Sequence, residues 1–206
     1  MSTLFLILLY FFTLGCKVDT PTNLKKDVTV THDKKPQIIF DVIMIRSFPK
    51  LRTFWPAEVP EFVFCKSSGI SRERANQGVA YWKNLGYPIT KVRYINDGPE
   101  CRNRNLHGKV IIKLIDNTIP LNSNLSVTQV SFYRDNKQIQ SATIYLISAY
   151  ADKPRLIEHE IGHALGWQHY NRRHHIMNPE YFRTGFNSEG LEYVEYQTHS
   201  INFFKN

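Results

Sequence analysis

The sequence predicts one α+β domain over residues 37–206, preceded by a leader and a polar spacer. Three observations carry that expectation. Short β-branched apolar runs recur from residue 38 onward and are punctuated by Gly, Pro, Asn and Asp, the pattern of strands joined by turns. One strongly periodic helix, residues 71–85, stands among them. A second helical stretch, residues 154–165, follows the last run and carries His159, Glu160 and His163.

At the start of the chain, residues 4–14 are apolar and uncharged, too short to cross a bilayer as a mature helix. Residues 1–15 therefore read as a signal peptide. The run ends in Thr13-Leu14-Gly15-Cys16, which resembles the lipobox of bacterial lipoproteins and makes Cys16 the expected lipidation site. The leucine stands two places before the cysteine rather than three, so ordinary secretion or a retained anchor remains the alternative. Either route puts the domain outside the cytoplasm. Residues 16–36 are a polar tether: the stretch 17–37 holds five lysines, three aspartates, Pro21 and Pro36, too little apolar surface for a core.

The domain proper is long enough to bury a core. Residues 38–45 and 61–66 read as strands, separated by an irregular connection around Phe48-Pro49 and Trp55-Pro56. In the helix over 71–85, Ser71 caps the start, Ala75, Val79 and Trp82 share a face, and Gly86 stops it. Residues 91–95 and 109–115 are further strands; 127–133 and 139–146 form a hairpin through Arg134-Asp135-Asn136-Lys137. After the histidine helix, residues 166–206 form a small lower subdomain beneath an upper one of 37–165. Within it, residues 188–200 are expected to close as a helix with Leu191, Val194 and Thr198 inward.

The chemistry lies in His159-Glu160-Ile161-Gly162-His163-Ala164-Leu165-Gly166-Trp167-Gln168-His169. On a helix, His159 and His163 stand one turn apart on one face, so two imidazoles converge on one ion. Gly166 can take the positive φ that ends the helix and returns His169 to the same point. Three histidines leave a fourth position open, which marks a catalytic rather than a structural zinc site. Glu160, not needed as a ligand, is placed to take a proton from the zinc-activated water.

These residues resemble the metzincin metallopeptidases, most closely the matrixins. The Gly166 and His169 extension is the metzincin signature. Met177, in His175-Ile176-Met177-Asn178-Pro179, looks like the Met-turn that floors the zinc site, and Pro179-Glu180-Tyr181 matches the matrixin segment walling the pocket for the substrate residue after the cut. The resemblance is close over residues 155–181 and elsewhere covers only the order of elements. Tyr170 departs from it, and no counterpart of the matrixin structural zinc and calcium loops is found. It implies a zincin fold: a twisted, mixed five-stranded sheet with one antiparallel edge strand along the cleft (127–133 here), two main helices and a small C-terminal subdomain. It also implies that residues 182–187 shape the far side of the pocket. In some relatives an N-terminal aspartate blocks the zinc, a role open to Asp19, Asp27 or Asp33; solubilising charges on a tether are the plainer reading.

The implied activity is a zinc-dependent metalloendopeptidase holding one catalytic Zn2+ on His159, His163 and His169, with Glu160 as general base. A zinc amidase acting on cell-wall peptide or sugar and a non-catalytic surface-binding lipoprotein are the alternatives. Cys65 and Cys101 remain once Cys16 is assigned, so in an exported chain they are a candidate disulfide; buried free thiols, or Cys65 as a zinc-blocking thiol, are the other readings. The formal net charge is +8, yet basic and aromatic residues do not interleave as in nucleic-acid modules, so no nucleic-acid partner is expected. The expected partners are a protein or peptide substrate and, through the lipid, a membrane; the chain is expected to be a monomer. Arg172, Arg173, His174 and His175 read either as a site for acidic side chains or as a polar turn between buried anchors.

Overall fold

The computed structural model describes residues 48–56, 60–103, 105–115 and 124–193. The leader, the tether and the strand expected over residues 38–45 lie outside these. The architecture is α+β. Strands β1 (Glu61–Cys65), β2 (Val92–Ile95), β3 (Lys109–Leu114), β4 (Ser126–Phe132) and β5 (Ile139–Leu146) form one five-stranded sheet in the order β2-β1-β3-β5-β4. The first four in that order run parallel, and β4 pairs antiparallel with β5 at the edge.

Side chains alternate across a strand, which divides each apolar run between two cores. Phe62, Phe64, Val110, Ile112, Ile144 and Leu146 face the main core, together with helix residues Ala75, Val79, Trp82, Ile157 and Ile161. Val63, Cys65 and Ile111 face the other side, where Cys101 completes a smaller cluster. Both long helices therefore cover one face of the sheet. On the opposite face a short helix α2 (Pro99–Arg102), which the sequence did not suggest, covers part of β1 and β3 and is tied to the end of β1 by the Cys65–Cys101 disulfide.

Helix α1 (Arg72–Asn84) is capped as its sequence requires, with Ser71 Oγ accepting from the Arg74 amide at 3.2 Å. Helix α3 (Leu156–Ala164) begins two residues later than the sequence suggested, because Arg155 adopts a left-handed conformation at φ 69°. All nine of its residues are buried. A helix enclosed on every side needs a partner for each polar group it carries. Trp82 Nε1 donates to the Glu158 carbonyl at 2.9 Å, Arg74 donates to the Glu158 carboxylate, and Gly78 lets Ile157 approach α1.

The end of α3 is held by the segment before β1. Trp55 Nε1 donates to the Ala164 carbonyl (2.9 Å), Arg52 N to the Gly166 carbonyl (3.0 Å), and Gln168 N to the Lys50 carbonyl (3.0 Å). Beyond Gly166 the chain has little regular structure. The closing helix expected over residues 188–200 is not formed where it is described: residues 188–190 turn, 191–193 are irregular, and the remainder lies outside the described residues. Gly190 at φ 85° interrupts any helix there. Leu191 is nevertheless fully buried, and Tyr193 N donates to the Leu85 carbonyl at 2.9 Å, so the segment packs beside α1 without helical turns.

Candidate metal centre

His159 and His163 lie one turn apart on α3, and the chain after Gly166 brings His169 to them. Gly166 has φ 103°, a conformation that strains any residue with a Cβ, and it also lies so close to Thr53 that a Cβ would stand 1.8 Å from that carbonyl oxygen. The return of His169 thus depends on a turn that only glycine fits. His163 Nε2 comes within 3.0 Å of His159 Nε2 and 3.1 Å of His169 Nε2. The ring centroids are 4.6, 4.6 and 5.3 Å apart.

Backbone contacts decide which nitrogen carries the proton. His159 Nδ1 lies 2.7 Å from the Ile176 carbonyl oxygen, and His163 Nδ1 lies 2.8 Å from that of Trp167. A carbonyl oxygen only accepts, so each Nδ1 is the donor and each Nε2 of the neutral ring presents a lone pair. Burial keeps the rings neutral: it drives His159 down to about 3 and His169 to about 4, and holds His163 well below the usual imidazole value. Lone pairs facing each other at such distances repel unless a cation lies among them. The three imidazoles fit one metal ion, and the donor set suits zinc. His159 and His163 are buried, whereas His169 is partly exposed, so solvent reaches the group from its side.

Glu160 is fully buried next to His159. Its carboxylate accepts from two hydroxyls on β4: Ser126 Oγ at 2.6 Å on Oε1, and Thr128 Oγ1 on Oε2. Burial pushes its carboxyl up to about 7, against the pull of both hydroxyls. Sequence reading passed over Ser126 and Thr128. Their signal, two hydroxyl residues at i and i+2 on a strand that also carries Gln129 and Ser131, points at nothing until α3 lies beneath it.

Met177 is fully buried beneath α3; a Cβ on Gly162 would come within 2.4 Å of its sulfur. The turn around it is pinned by polar contacts. Met177 N donates to His175 Nδ1 (3.1 Å), Tyr170 N to the Met177 carbonyl (2.8 Å), and Asn178 Nδ2 to the Arg172 carbonyl (2.9 Å). Asn178 Oδ1 also accepts from Glu180 N at 2.9 Å. His175 is buried in this turn, and Arg172 pairs with Glu189 at 2.5 Å, so the basic stretch 172–175 serves as a turn between buried anchors. Pro179 and Tyr181 are partly buried. Tyr181 reaches the approach to α3: its hydroxyl donates to the Pro154 carbonyl (2.9 Å), and Lys153 and Arg155 lie 5.4 and 5.3 Å from its ring centre. Phe182 and Phe186, in the stretch expected to shape the pocket, are exposed.

Cys65, Asp97 and Cys101 are also close enough to suggest a ligand group, but the two sulfurs are bonded to each other. His107 is exposed and stands apart from both groups; His32, His199 and Cys16 lie outside the described residues.

No protein-family model matches the sequence, and no curated protein matches it significantly. Among solved structures, the chain is similar to metalloproteinase-II from Bacteroides fragilis, at 16% identity and a TM-score of 0.39, over 71% of this chain and 57% of that one. The chain thus spans little more than half the length of that neighbour.

Proposed function

We propose that this chain is a zinc-dependent metalloendopeptidase. The observation that carries the reading is the convergence of three neutral imidazoles through their Nε2 atoms, two of them held in that tautomer by backbone carbonyls, with a buried carboxylate alongside. His159, His163 and His169 would hold the ion. Zinc bound there supplies a Lewis acid that polarises a peptide carbonyl and acidifies water.

The chain's own residues supply the rest. The Ile176 and Trp167 carbonyls orient two of the ligands. Glu160 would take a proton at its carboxylate from the attacking water and return it to the leaving amine nitrogen. Each of its oxygens keeps lone-pair capacity beyond the hydroxyl it accepts. The β4 edge has no strand partner on its outer side among the described residues, so an extended substrate can pair with it through main-chain hydrogen bonds. Recognition of backbone suits cleavage of internal bonds, with an apolar residue after the cut seated against Pro179 and Tyr181. The leader and Cys16 complete the proposal: a monomeric, membrane-anchored lipoprotein at the cell surface or on the periplasmic face, or otherwise a secreted enzyme, held off the membrane by residues 16–36 and acting on protein or peptide.

The test is digestion of a mixed peptide library by the purified chain, with cut sites read by mass spectrometry beside Glu160→Gln and chelator-treated controls. Internal cuts lost in both controls are expected. Cleavage only at chain ends, or undiminished cleavage by Glu160→Gln, would overturn the reading. One zinc per chain with no peptide cut would turn it toward a zinc amidase of cell-wall material.

A further inference from the structure

We infer that Ser126 and Thr128 are positioning residues for Glu160, and that through them the strand offered to the substrate also holds the proton-transferring group. The inference rests on the metalloendopeptidase reading and adds to it two residues that no motif contains. Ser126 and Thr128 are two places apart on β4, so they project from the same face, toward α3. Val127 between them faces the other way, against Tyr145. Both hydroxyl residues are fully buried, and each reaches a different oxygen of the same carboxylate. Thr128 Oγ1 is also 3.3 Å from the Glu160 backbone carbonyl, so it spans side chain and helix together.

Their neighbours make the polarity conspicuous. In the β4–β5 register Ser126 lies opposite Leu146 and Thr128 opposite Ile144, and both partners are fully buried in the main core. Among the described strand residues, Ser126 and Thr128 are the serine and threonine on that face, and both lie over Glu160; apolar side chains fill most of the rest. A carboxylate gripped at both oxygens cannot turn about its last torsion, so its free lone pairs keep one direction. Peptide pairing along the outer edge of β4 and the orientation of Glu160 on the inner face then share one short piece of backbone. Loss of the grip should leave substrate binding intact and slow the proton transfer.

The experiment compares the full chain with Ser126→Ala, Thr128→Val, the conservative Ser126→Thr and Thr128→Ser, and Ile111→Val as a control that loosens the sheet from its other face, away from β4. Three quantities are read: zinc per chain, kcat and KM on a peptide the wild type cuts, and the 13C resonance of the Glu160 carboxyl, assigned by its absence in Glu160→Gln. Ser126→Ala and Thr128→Val are expected to keep one zinc, hold KM within about twofold and lower kcat about 10- to 100-fold, the cost of a misplaced catalytic group. Their Glu160 carboxyl resonance should shift. Thr128→Ser should restore kcat to within about threefold, and Ile111→Val should leave kcat and the resonance unchanged.

An unmoved resonance with full kcat in Thr128→Val overturns the inference. So does an equal fall of kcat in Ile111→Val, or a loss explained by missing zinc. A wild-type chain that binds zinc and cuts nothing overturns the peptidase reading instead; the resonance in Ser126→Ala and Thr128→Val then decides whether the hydroxyl grip exists.

Discussion

The chain on the two sides of Gly166 is held together by different forces. Before it, a five-stranded sheet and two helices bury apolar side chains on both faces, and the Cys65–Cys101 disulfide lies on the side away from the helices. After it, the stretch to Tyr193 holds one three-residue 3-10 turn, and its shape rests on side chains bonded to backbone: His175, Asn178, Arg155 and Thr184 each fix a main-chain group. The first region supplies stability; the second supplies the carbonyl behind His159, the third histidine and the floor beneath the helix. Away from His159 and His163, damage before Gly166 should therefore lower stability more than zinc affinity, and damage after it should do the reverse.

The sharpest break falls at the border. Gly166→Ala puts a Cβ into the Thr53 carbonyl at an unfavourable φ, and we expect a loss of about 4 kcal/mol or more in denaturant unfolding, together with loss of zinc. Normal stability with zinc retained would mean that the turn tolerates a side chain and that its glycine is not what returns His169. Next in size is the joint replacement Cys65→Ser and Cys101→Ser, which opens a link between residues 36 apart and should cost about 2–4 kcal/mol while one zinc per chain is kept. If zinc falls with stability there, the two regions are not separable.

Asn178→Ala tests the other side. It frees the Arg172 carbonyl and the Glu180 amide in the turn that carries Ile176 and Met177. Zinc affinity should drop about 10-fold, as for groups that orient a ligand from behind, with a stability loss of about 1–3 kcal/mol. A competition titration against a coloured chelator measures the first, and thermal unfolding the second.

The smallest effect concerns pH. Arg93 holds the Glu61 carboxyl, and Lys109 that of Glu100, below the ordinary value of 4.5, each by hydrogen bonding first. The unfolded chain therefore takes up these protons earlier as the solution is acidified. The stabilisation is intact above about pH 4.5 and fades as pH falls through the lower folded values. Because the cluster is solvent-screened, Glu61→Gln should lower stability by under about 1 kcal/mol at neutral pH, and by less at pH near 3. Equal losses at both pH values would remove the ion pairs from the account.

Most of the upper region was legible in local sequence. Strand alternation follows from the extended backbone and the 3.6-residue period from i to i−4 hydrogen bonds, both local properties, so β1 to β5 and α1 fall within one or two residues of where the pattern puts them. The spacing of His159, Glu160 and His163, and the glycine before His169, were legible for the same local reason. The remaining features depend on contacts between distant parts of the chain. The Ile176 carbonyl on His159, the hydroxyls of Ser126 and Thr128 on Glu160, the approach of Thr53 to Gly166 and the small helix carrying Cys101 join residues far apart in sequence. Residues 188–193 resisted reading because the burial of Leu191 and the bond from Tyr193 to Leu85 depend on α1, more than a hundred residues earlier, and leave no period in the local sequence.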